Sequence, residues 1–243
     1  MTFLSAALLF SLTTFAQNKT APPASSPVTE TVTATLYGIK TNPDKVLFTS
    51  AFQAKTEGSR IDSQVIYKDA QGQVAVTERA QLEGTQIVSY EMDRPQTQEK
   101  GAFQVKEGTI YFSYEGPDGK KKSNEEKLKG SLVSSANFNV FVLSKWDELA
   151  TGKSVEVRFA VWDRLETVGF TLQKTGEPEK NGKKTMELRM KPTSFVIAAL
   201  VDPVFFWYAI DSKKMQSMKG RVSPKIQENG KWKDLDATVV YLH

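Results

Sequence analysis

Alternation with a period of two constrains this chain more than any other feature. Val155, Val157, Phe159 and Val161 alternate with Glu156, Arg158 and Ala160. Val168, Phe170 and Leu172 alternate with Gly169, Thr171 and Gln173, and Met186, Leu188 and Met190 with Glu187 and Arg189. Successive side chains of a strand point to opposite faces, so each run reads as a half-buried β-strand with one wet face. The same period governs the first half from about Val46. There Ile66 and Tyr67 lead into Asp69-Ala70-Gln71-Gly72, and Val74 to Thr77 lead out, as in a hairpin. Ile87 to Met92, Ala102 to Val105 and Thr109 to Tyr114 follow as strands. Gly116-Pro117-Asp118-Gly119, Glu177 to Gly182 and Glu228-Asn229-Gly230 are the turns, the last preceding a final strand from Thr238 to Leu242.

These runs predict a mainly β fold: a curved antiparallel sheet or half-barrel of about ten strands with one main helix packed against it. The helix begins at Asn137, where Phe138, Phe141, Val142, Lys145, Trp146 and Leu149 recur at three and four residues, and Gly152 stands where a C-terminal cap belongs. That spacing gives one helix of about four turns. One segment departs from alternation. In Pro203 to Ile210 both faces are apolar, so both must be covered, by the helix, by the segment Ser194 to Val201, or by a ligand. Strand geometry sends Phe205 and Trp207 to one face and Phe206 and Tyr208 to the other. With Trp146 these four are the candidate ligand-binding residues, and packing is the competing use for each of them.

The first 16 residues carry no charged side chain, and Phe3 to Leu12 is apolar but for serines. This reads as a secretory signal ending in Thr14-Phe15-Ala16. Residues 17–29, with Pro22, Pro23 and Pro27, read as a linker. Residues 30–243 then form a single β-rich domain of a periplasmic or secreted protein. The longest later apolar run, Phe195 to Val201, is far shorter than the ~20 residues of a spanning helix, so no transmembrane segment is expected in the mature chain. Charges spread along many strands argue against a lipid-facing barrel.

The chain has no cysteine, and its one histidine is the terminal His243. Ser-His-Asp and Cys-His nucleophile systems and His/Cys zinc sites therefore lack their residues. No phosphate-binding or dinucleotide Gly-rich loop occurs. No catalytic residue, metal or cofactor is expected. The best acid grouping is Asp163 with Glu166 beside Trp162. Two carboxylates suffice for a glycan hydrolase, but the same residues also read as the polar turn between two strands. Arg158, Arg164 and Arg189 read as wet-face residues. The net charge of +4 is mild, and Lys120-Lys121-Lys122 is answered by Glu125 and Glu126 without an aromatic platform, so nucleic acid is not an expected partner.

Between Phe141 and Pro224 several short motifs stand together: Trp146-Asp147-Glu148-Leu149 with Gly152, Arg164, Val168-Gly169-Phe170, Arg189-Met190-Lys191-Pro192, Leu200-Val201-Asp202-Pro203 and Met218-Lys219-Gly220-Arg221. In these the chain resembles a group of uncharacterised exported bacterial β-rich proteins. A looser similarity, of shape, is to periplasmic lipoprotein-carrier and related lipid-binding folds, in which a curved sheet wraps a helix. That similarity implies a hydrophobic concave surface. The expected function is a non-enzymatic periplasmic binding or envelope-maintenance protein for an apolar or amphipathic ligand. The alternatives are a carboxylate-dependent glycan hydrolase on Asp163 and Glu166, or an envelope scaffold that binds a protein partner.

Overall fold

The alternating runs pair into one open sheet. The computed structural model describes residues 27–39, 44–180, 182–199 and 201–243; the expected signal and most of the linker lie outside the described residues. The first half is a meander of β1 (Val28–Gly38), β2 (Val46–Glu57), β3 (Arg60–Asp69), β4 (Val74–Glu83), β5 (Gln86–Arg94), β6 (Glu99–Lys106), β7 (Thr109–Glu115) and β8 (Lys121–Lys127). Then come β9 (Leu132–Val133), α1 (Phe138–Ser144), α2 (Trp146–Ala150), β10 (Val155–Val161) and β11 (Glu166–Gly176). The chain finishes with β12 (Glu179–Lys180), β13 (Lys183–Pro192), α3 (Phe195–Ala198), β14 (Val204–Ala209), β15 (Met215–Glu228) and β16 (Lys231–Leu242). The order across the sheet is β8 down to β1, then β16, β15, β14, β13, β11, β10 and β9, with β12 paired only to β13. Pairing is antiparallel except between β9 and β10.

Sixteen strands replace the ten expected. The additional ones carry little periodic signal. β9 and β12 are two residues each, and β8, Lys-Lys-Ser-Asn-Glu-Glu-Lys, has no apolar residue to alternate. β1 begins at Val28, inside the end of the segment read as linker. The single helix is also corrected to two. The backbone breaks at Lys145, whose N–H donates to the carbonyls of both Phe141 and Val142, each at 3.1 Å. Gly152 caps α2 in the left-handed region at φ +85°. The β15–β16 turn follows its sequence signal: Asn229 and Gly230 both have positive φ, as a two-residue type I′ hairpin loop requires.

One apolar face runs continuously across the sheet. Leu36 of β1 pairs with Val239 of β16, which pairs with Met218 of β15, which pairs with Phe206 of β14. This face curls inward and forms two adjoining cores. The first lies among β1 to β7 and β16; the second lies under α1 and α2, against β10, β11, β13 and β14.

At β10 the expectation of one wet face fails. Val155 and Val157 lie in the second core, while Ala160 and Trp162, on the opposite face, lie buried in the first. The β9–β11 edge is therefore rolled inside the β5–β8 edge, scroll fashion. Trp162 is the contact on which the roll seats. Its ring lies so close over Gly101 of β6 that a Cβ there would be 2.0 Å from Cε3. Arg94 covers the indole at 4.9 Å and Tyr114 packs at 5.9 Å. The Arg94 guanidinium in turn pairs with Glu99 at 2.9 Å, and Glu99 also accepts from the Tyr114 and Thr97 hydroxyls.

A second polar seam joins β8 to the rolled-in strands. Glu126 accepts from the Thr167 N–H at 2.8 Å, the Thr167 hydroxyl at 2.6 Å and Arg158 Nη2 at 3.0 Å. Arg158 also donates to the Thr167 hydroxyl and carbonyl, each at 2.7 Å. It is thus a seam residue and not a wet-face one. The lysine cluster is likewise answered from elsewhere: Lys120 by Asp118 at 2.7 Å and Lys121 by Glu115 at 3.7 Å.

Gly101→Ala forces Trp162 off its seat and is expected to destabilise by about 1–3 kcal/mol in urea unfolding, whereas in a Trp162→Leu background the added methyl costs markedly less. Burial works against the ionised forms of Glu99 and Glu126, but hydrogen bonds and the neighbouring guanidiniums outweigh it and hold both carboxyls below the ordinary value of 4.5. Groups depressed on folding contribute stability above their unfolded pKa and lose it as pH falls through the folded one. The melting temperature should therefore drop as pH is lowered from about 5 through 3. Glu126→Gln should flatten part of that drop.

Candidate functional site

The turns at one end of the roll leave an open groove of about 890 Å³. The start of β2, the β3–β4 turn, the β5–β6 turn and the β15–β16 hairpin each contribute. Phe48 and Ala75, both buried in the first core, form its floor. Leu47, Val74, Ile226 and the 44% exposed indole of Trp232 supply apolar wall. Lys45, Gln71, Gln73 and Glu228 supply a polar rim. A second hollow of about 430 Å³ shares Gln96, Lys225 and Trp232 with the first and reaches Glu99 and Pro117.

The groove's geometry originates in a bulge. Val222 pairs with Leu235 and Lys225 with Asp234, so Ser223 and Pro224 stand outside the β15–β16 ladder. Hydrogen bonds across the roll hold the bulge from two sides. The Lys225 N–H donates to Gln96 Oε1 at 2.6 Å, and its carbonyl accepts from Gln96 Nε2 at 3.0 Å, so the β5–β6 turn is clamped across the roll to β15. The Lys225 ammonium lies 3.4 Å from Asp234. Ser223 donates inward to Glu78, which is 1% exposed, and Ser135, from the loop before α1, donates to the other carboxylate oxygen. Burial, with the Glu78 charge second, pushes the Tyr67 and Tyr90 phenols well above 10, so both stay protonated donors. On the opposite wall Asp69 fixes the β3–β4 turn by accepting from the Gln71 and Gln73 N–H groups at 3.0 and 2.8 Å. The groove is framed by groups that already hold one another.

The residues singled out in the sequence lie elsewhere. Phe206 and Tyr208 face inward under the helices: Phe206 stacks on Phe138 at 4.3 Å, and Tyr208 meets Trp146 edge-on at 6.0 Å. The Tyr208 hydroxyl is buried without a hydrogen-bond partner among the described residues, and burial pushes the phenol well above its ordinary range. Phe205 and Trp207 stack on each other on the outer face. There Trp207 Nε1 donates to Glu187 at 2.8 Å and the Lys180 ammonium of β12 covers the ring at 4.4 Å. None of the five lines the groove. Asp163 is exposed in the β10–β11 turn, and Glu166 pairs with Arg164 at 2.6 Å; neither borders either hollow. Among the described residues no group of three or more His, Asp or Glu side chains is placed to hold a metal ion, and no helix is long and apolar enough to cross a membrane.

The fold and groove define a class: a mainly β protein of one rolled, open sheet with a half-apolar hollow at one end. No protein-family model matches the chain, and no curated protein does. Among solved structures, a porin-like protein from Bacteroides uniformis ATCC 8492 is similar at 10% identity, over 87% of this chain and 96% of that one, with a TM-score of 0.27.

Phe206→Ala opens a cavity beneath α1 and is expected to cost about 3–5 kcal/mol in chemical unfolding. The groove should keep its shape in whatever fraction remains folded, because Phe206 borders neither hollow.

Proposed function

We propose that the protein is a non-enzymatic binding protein of the cell envelope, periplasmic in location, that holds an apolar or amphipathic molecule in the groove at the end of the roll. The observation that carries this reading is the layering of the groove: a buried apolar floor, an aliphatic and indole wall, and a charged and amide rim. An amphiphile satisfies all three, placing its chain on Phe48, Leu47 and Ile226 and its head among Lys45, Lys225 and the glutamines. Volume agrees with this, since about 890 Å³ lies within the range of small-molecule sites. Rigidity agrees as well, because the Gln96 clamp and the Asp69 turn hold opposite walls before any ligand arrives, so little ordering cost falls on binding. Export, the reading of the N-terminal sequence, would bring the protein among lipids and their breakdown products.

Titration with a long-chain fatty acid and with a lysophospholipid tests the reading through Trp232 fluorescence and native mass spectrometry. The expected outcome is saturable one-to-one binding. Trp232→Ala and Ile226→Glu should each weaken it about tenfold, near 1.4 kcal/mol, while the melting temperature stays nearly constant. Absence of binding by the unaltered protein, or equal affinity in both variants, overturns the proposal.

A further inference from the structure

Among the described residues, nothing covers the apolar side chains of Phe195 and Val196 in the connection between β13 and β14. Ser194 caps the single turn α3 by accepting from the Ile197 N–H. Ile197 packs back on the second core, and the cap thereby fixes Phe195 and Val196 outward, at 89% and 69% exposure. Ala198 and Ala199 beside them are also exposed. Scattered single apolar residues are ordinary on a protein surface; a contiguous group on a projecting knuckle is not.

Cations stand beside it. Cross-strand register sets Arg189 of β13, Phe205 of β14 and Lys219 of β15 in a row on the outer face, and Lys191 lies on the same face one step nearer the knuckle. Lys191 and Lys219 are exposed, and none of the three cations is held in an ion pair among the described residues. The cations outnumber the acids beside them. Glu187 is held by Trp207 Nε1 and the Thr175 hydroxyl, Glu166 by Arg164, and Asp202 alone is an exposed carboxylate in the connection. Register also gives the knuckle its place. Val204 and Gly220 open β14 and the far stretch of β15 that carries the hairpin with Trp232, so the knuckle and the groove's exposed indole issue from the same end of the strands.

We propose that this end of the roll docks on an anionic lipid bilayer, Phe195 and Val196 inserting among the acyl chains while Arg189, Lys191 and Lys219 meet the phosphates. The occupant is a lipid surface and not a protein groove, because the exposed Phe195 and Val196 stand at the end of strands whose outer face carries Arg189, Lys191 and Lys219, and apolar side chains with adjoining cations are what interfacial insertion uses. The inference does not depend on the groove's holding a ligand.

The full cysteine-free chain allows a direct test, since Phe195→Cys carrying a polarity-sensitive dye reports from one position only. With vesicles of phosphatidylcholine containing about a third phosphatidylglycerol, the dye should shift to the blue, and the shift should fade with added salt; a dye on Tyr111→Cys, on β7, should not respond. In co-sedimentation, the pair Phe195→Ser with Val196→Ser should lower the partition coefficient roughly tenfold or more, and Lys191→Ala with Lys219→Ala about tenfold, both with an unchanged melting curve. An unresponsive dye at 195 overturns the proposal. So does equal sedimentation of the double variants, or a concentration-dependent self-association abolished by the serine pair with no vesicle response, which would make the knuckle a protein contact.

Discussion

The burial of Trp162 on Gly101 is the contact on which the rest of the structure depends. An open antiparallel sheet has two unpaired edges and two faces, and its stability requires an answer for each. Here the answer is rolling. The outer face of β10 becomes core because the inner face of β6 has, at Gly101, no side chain where the indole must lie. Among the described residues the roll is completed without a backbone ladder between its ends. The Glu126 carboxylate takes the Thr167 N–H that a neighbouring strand would otherwise have accepted, and Arg158 locks the carboxylate in place. β8 can then be wholly polar, which protects it from pairing with another chain.

Inside the roll a second constraint sets the open end. Glu78 is a carboxylate among apolar side chains, and such a group is costly unless its lone pairs are used. Ser223 and Ser135 use them, from strands and loops far apart in the chain. For Ser223 to reach inward, β15 must bulge, and next to the bulge Gln96 takes up the Lys225 N–H and carbonyl. The hollow beside Trp232 is the space left between these commitments. A polar core interaction thus shapes a surface site that it does not touch.

How much of this was legible in the sequence varies with the residue. The runs at Val155, Val168 and Met186 announced their strands because one face is apolar along the whole length. β8 announced nothing, because its inward positions, Asn124 and Glu126, are used for polar bonds. The opposite orientations of Phe205 and Phe206 were readable from strand geometry; that Phe206 meets Phe138, and that Trp207 is covered by Lys180, was not. The groove left no local signal. Its walls come from four separate hairpins, and residues such as Gln96 and Gln73 look like ordinary turn residues until the roll brings them together.

The sequence by itself determined that this chain is β, where most of its turns fall, and that histidine- and cysteine-based catalysis has no residues to use. Those properties are local: side-chain period, positive φ at Asn229 and Gly230, and the presence or absence of particular functional groups. Only the tertiary structure decided which strand would have two buried faces, which arginine would close the seam, where the carboxylate would be buried, and which aromatics would meet the core and which the solvent. Those outcomes turn on pairs such as Gly101 with Trp162 and Glu78 with Ser223, whose members are far apart in the chain. Whether a face is wet depends on what the roll lays over it, and period alone carries no information about that.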